Sequence, residues 1–130
     1  YKAIELLLGD FFFGKAVDVW AIGCIMFEVT TCERLFNDAQ VEADVLHGCI
    51  AQLGQLDQLS CQSHLPMWHP AYAHTKPVVA DFWPRIKTAG VIGAEVGDVA
   101  IELLNTNSDE RPNIEGCIAP WHTFCGADSR

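Results

Sequence analysis

The stretch Phe13-Gly14-Lys15-Ala16-Val17-Asp18-Val19-Trp20-Ala21-Ile22-Gly23-Cys24-Ile25-Met26-Phe27-Glu28-Val29 decides how this chain is read. Eleven of the fourteen residues from Ala16 to Val29 are hydrophobic, the exceptions being Asp18, Gly23 and Glu28. That pattern predicts a helix over Lys15 to Thr31 that is apolar nearly all round, and such a helix belongs at the centre of a protein. It falls short of the ~20 apolar residues needed to span a bilayer and is broken by charge. Asp18 is the anomaly. Inside an apolar helix an ionised carboxylate is costly unless several donors reach it. The alternative is an exposed first-turn aspartate favoured by the helix dipole.

Downstream, Asn37 and Asp38 offer cap groups ahead of a second amphipathic helix. Its apolar positions Val41, Val45, Leu46, Cys49, Ile50 and Leu53 recur at helical spacing and stop at Gly54. Between Asp57 and Gly93 the periodicity fades among Pro66, Pro70, Pro77 and Pro84, which predicts an irregular connection with at most a short helix. Val96, Val99, Ala100, Leu103 and Leu104 restore the helical period. After the polar run Asn105 to Arg111, Asn113 caps a last short helix, and residues 126–130 fray. The fold class is mainly α.

The 130 residues suit one folding unit or a piece of one, and half of them are hydrophobic. Eight basic against seventeen acidic residues give a net charge of -9, which repels nucleic acid and anionic membranes. The expected partner is a protein, as substrate or docking protein. The chain opens on Tyr1 without a signal-peptide pattern, so we expect a sequence truncated upstream, from a soluble protein of the cytoplasm or nucleus. Six cysteines without a Cys-x-x-Cys point to free thiols in a reducing compartment. Cys61, His64, His69 and His74 cluster within fourteen residues, but their spacing matches no standard zinc pattern, so no metal is expected.

Tyr1-Lys2-Ala3-Ile4-Glu5-Leu6-Leu7-Leu8-Gly9, followed by Phe13-Gly14-Lys15-Ala16-Val17-Asp18-Val19-Trp20-Ala21-Ile22-Gly23-Cys24, resembles the end of the activation segment and the central helix of eukaryotic protein kinases. The group it resembles most holds the cyclin-dependent and mitogen-activated kinases. Leu35-Phe36, Leu53-Gly54, Leu103-Leu104, Asp109-Glu110-Arg111-Pro112 and Pro120-Trp121 with Phe124 follow in the family's order. The resemblance implies part of a kinase C-terminal lobe over residues 1–124, with 125–130 as a tail.

The resemblance also implies roles. Tyr1, Lys2, Ala3 and Ile4 match the loop that receives the residue after the phosphorylated Ser or Thr. Glu5 and Arg111 match a buried ion pair. Asp18 matches the carboxylate that holds the catalytic-loop backbone, and Trp20, Gly23, Pro120 and Trp121 match structural positions. The sequence departs from the family at Lys2, which replaces an arginine, and at Ile4, which replaces a proline. It departs again at Ala119-Pro120, one residue short and without the family's histidine. Phe11 to Phe13 are expected in core and lobe packing, with a docking patch as the alternative.

No residue is assigned a catalytic role. Phosphoryl transfer needs a Gly-rich loop, a strand lysine, a catalytic-loop aspartate and Asp and Asn ligands for magnesium. No Gly-x-Gly-x-x-Gly, His-Arg-Asp or Asp-Phe-Gly occurs in the chain. The expectation is therefore part of a Ser/Thr kinase that is inactive by itself, with ATP and Mg2+ bound by the intact parent. The alternative is a stand-alone remnant that binds a protein through the helix Val41 to Leu53.

Overall fold

A computed structural model describes residues 1–36, 39–53, 62–74 and 93–116. Among them lie four α-helices: α1 (Ile4–Leu7), α2 (Ala16–Thr31), α3 (Glu42–Leu53) and α4 (Gly93–Leu103). Short 3-10 helices follow at Pro70–His74 and Ser108–Glu110, with a helical turn at 114–116. The described residues contain no strand, so the chain is mainly α. No helix among them is long and apolar enough to cross a membrane.

Local chemistry explains where α1 starts and stops. Ala3 is extended (φ -67, ψ 150) and hands over to Ile4 as the first helical residue. At the other end Gly9 takes φ +91, a conformation glycine adopts without the penalty of a Cβ. Gly9 N–H donates to the Leu6 carbonyl at 3.1 Å and Asp10 N–H to the Glu5 carbonyl at 2.9 Å, the paired closure of a Schellman motif.

α2 is the centre that its composition predicts. Trp20, Cys24 and Phe27 are buried in one core with Ile4 and Leu7 of α1, the Leu8 that caps it, and Leu46, Cys49, Ile50 and Leu53 of α3. α2 packs closely on α4 because Gly23 has no side chain. A Cβ added there would stand 2.9 Å from Leu103 Cβ and 3.0 Å from Leu104 Cγ. Past its end, Cys32 adopts the left-handed conformation (φ 56) and its N–H donates to the Glu28 carbonyl.

In α3 the buried residues are Leu46, Cys49, Ile50 and Leu53, one face of an amphipathic helix. Val41 departs from the predicted stripe: it precedes the helix and is exposed. The free donors at this end go to Asp44, whose Oδ2 accepts from Gln40 N–H at 2.9 Å and Val41 N–H at 3.1 Å. Asn37, Asp38 and Gly54, predicted to cap and stop this helix, lie outside the described residues.

Part of the predicted irregular connection is seen at 62–74. Met67 N–H donates to the Leu8 carbonyl, Leu65 joins the core, and the buried Gln62 donates through Nε2 to the Thr106 carbonyl. In the last turn Asn113 caps as predicted, its Oδ1 accepting from Gly116 N–H. Pro120 and Trp121 lie outside the described residues, as do Cys61, Cys117 and Cys125.

Candidate functional site

Segments far apart in sequence meet at Arg111. Its Nη1 lies 2.7 Å from Glu5 Oε1 and its Nη2 2.7 Å from Glu5 Oε2, a bidentate pair that α1 presents and the end of the Ser108–Glu110 turn receives. Nη1 also donates to the Ala16 carbonyl at 2.9 Å, and Nε to the Asn105 carbonyl at 2.7 Å. The guanidinium carbon sits 4.8 Å from the Trp20 ring centroid, within cation–π range. Both charged side chains are almost wholly buried. Arg111 thus ties α1, the start of α2 and the segment after α4 into one block. Trp20 is fully buried, and its indole nitrogen has no hydrogen-bond partner among the described residues.

Beside this block the predicted substrate loop divides in two. Ala3 and Ile4 fold into the core, whereas Tyr1 and Lys2 are exposed. Lys2 Nζ pairs with Glu42 Oε1 of α3 at 2.6 Å. Tyr1 donates its hydroxyl to Glu28 Oε2 of α2 at 2.7 Å, and that bond to a carboxylate holds the phenol above its ordinary pKa. Tyr1 and Glu28, with Arg34, Leu35, Phe36 and Val45, line a cleft of about 250 Å³. The loop is therefore anchored to both α2 and α3 and presents a phenol, an ammonium and carboxylates at one edge. Sequence reasoning missed both anchors, because neither pair is near in sequence or carried by a local pattern.

One expectation is corrected. Phe11, Phe12 and Phe13 are not core: they are 82%, 96% and 60% exposed. Asp10 Oδ1 accepts from Phe12 N–H at 2.8 Å, and this tight turn directs the loop outward from the helices. Asp18 is also exposed, in the first turn of α2, and no partner for it occurs among the described residues. The helix dipole favours a carboxylate at that position, and the donors that the kinase resemblance implies for it belong to a catalytic loop that is not in this sequence.

Of the four residues weighed for zinc, Cys61 lies outside the described residues, and His64 and His69 stand exposed on the turn segment. No group of three or more His, Cys, Asp or Glu among the described residues could hold a metal ion. His69 instead packs edge to face with Tyr72 and accepts from Ala71 N–H.

No protein-family model matches the chain. Among curated proteins it is 46% identical over 121 residues to cyclin-dependent kinase-like 2 of Mus musculus, covering 86% of this chain and 20% of that protein. It is 35% identical over 114 residues to cyclin-dependent kinase-like 2 of Homo sapiens, covering 86% and 22%. It is 27% identical over 125 residues to a protein of Acanthamoeba polyphaga mimivirus that carries a serine/threonine-protein kinase name, covering 91% and 20%. The chain spans about a fifth of the length of the curated relatives it matches.

Proposed function

We propose, from the premise that this chain is related to the serine/threonine protein kinases over most of its length, that it is the substrate-side part of a kinase C-terminal lobe and is catalytically silent by itself. The parent transfers the γ-phosphate of ATP to Ser or Thr of a protein substrate. Tyr1 and Lys2 form the exposed edge that meets the substrate, and Ala3 and Ile4 anchor that edge in the core.

The observation that carries this reading is the Arg111 block. A bidentate carboxylate–guanidinium pair closed between positions 106 apart holds the substrate edge to the end of the lobe. Lys2 replaces the planar fork of an arginine with a point charge, and Glu42 already neutralises it. That arrangement argues against the family's substrate geometry at this loop and for a different preference next to the phosphorylated residue.

The residues of this chain do not fit ATP or magnesium. Gly-x-Gly-x-x-Gly, His-Arg-Asp and Asp-Phe-Gly are absent from the 130 residues, and Asp18, exposed in a first turn, stands without a second carboxylate ligand among the described residues. We assign both to residues outside this sequence and route no step through them here.

Two measurements test the proposal. Reading the coding sequence upstream of Tyr1 is expected to find a Gly-rich loop, a strand lysine, His-Arg-Asp and Asp-Phe-Gly, and the extended protein is expected to label Ser or Thr from γ-labelled ATP. A reading frame that opens at Tyr1, or labelling by the 130-residue chain alone, overturns it.

A further inference from the structure

We draw no further inference here: the strongest candidate, the outward turn between α1 and α2 that exposes Phe11, Phe12 and Phe13, is an unpartnered apolar patch, and nothing in the structure shows what covers it.

Discussion

Cys24 and Cys49 carry the same thiol as Cys32 in surroundings that change its chemistry. Burial pushes the Cys24 thiol up to about 12 and raises Cys49 as well, because a thiolate in the core loses its solvation. For a raised pKa the stabilising form is the neutral one. Its contribution is full below the ordinary value of 9.0, and for Cys24 it is lost as pH rises through about 12. At mildly alkaline pH, iodoacetamide followed by peptide mapping should modify the exposed Cys32 and leave Cys24 and Cys49 protected until denaturant is added. Labelling of all three at equal rates would mean that α2 and α3 do not pack as described. Gly23 makes a sharper claim on the same packing. Gly23→Ala puts a methyl 2.9 Å from Leu103 Cβ, so α2 and α4 must separate. Overpacking of this kind costs roughly 1 to 3 kcal/mol, which a urea titration would read, despite alanine's better helix propensity. A stabilised Gly23→Ala would show that the two helices are not in contact at this point. Ile4 shows why one departure from the kinase pattern is tolerated. The extended backbone at Ala3 and the first-turn position suit a proline, yet the isoleucine fills the core completely.

Helices in this chain are held by different means, and sequence revealed some of them better than others. The core position of α2 was legible because its composition leaves no polar side broad enough to face water. The inner face of α3 was legible because Leu46, Cys49, Ile50 and Leu53 keep the helical period. The outward turn at Phe11 to Phe13 was not, since three consecutive aromatics read as core and only the Asp10 turn shows which way they point. Asp18 was open between two readings, because a first-turn carboxylate lies at the margin of the apolar run and period alone does not say which side is covered. Joining Lys2 to Glu42 or Tyr1 to Glu28 needed the tertiary fold. The start of α3 was another matter of local detail. Asp44, three residues into the segment after Val41, takes the two free amides, and those bonds hold its carboxyl below the ordinary 3.8. A depressed carboxylate pKa stabilises the folded chain above that ordinary value, and the contribution is lost as pH falls through the folded-state pKa. Asp44→Ala should therefore lower helicity and melting temperature at neutral pH. The gap to the parent chain should close on acidification below about pH 4. A gap that persists in acid would mean that Asp44 acts through something other than its charge.

At the scale of the whole molecule, one buried charge pair joins residue 5 to residue 111, and its energetics differ from those of a simple salt bridge. Removing one partner of a buried pair strands the other charge and costs ~3 to 5 kcal/mol. A small domain has a net stability of about 5 to 15 kcal/mol in all. Arg111→Met should therefore remove much of the chain's stability, visible as a large fall in the urea midpoint. If the pair were isolated, replacing both members with apolar residues would restore nearly everything, since a well-packed apolar substitute is often neutral. Here it is not isolated. Arg111 also satisfies the carbonyls of Ala16 and Asn105, at 2.9 and 2.7 Å, and stacks on Trp20. Glu5→Leu with Arg111→Met relieves the stranded carboxylate but leaves those two carbonyls without their donor, at about 1 to 3 kcal/mol for each group that water does not reach. The double variant should thus lie above Arg111→Met and clearly below the parent chain. Urea titrations of all four members of the cycle measure this directly. Full recovery in the double variant would reduce Arg111 to a partner of Glu5 alone. No recovery would place its weight on the carbonyls and Trp20, making the arginine a clamp on the backbone of α2 first and a counter-ion second.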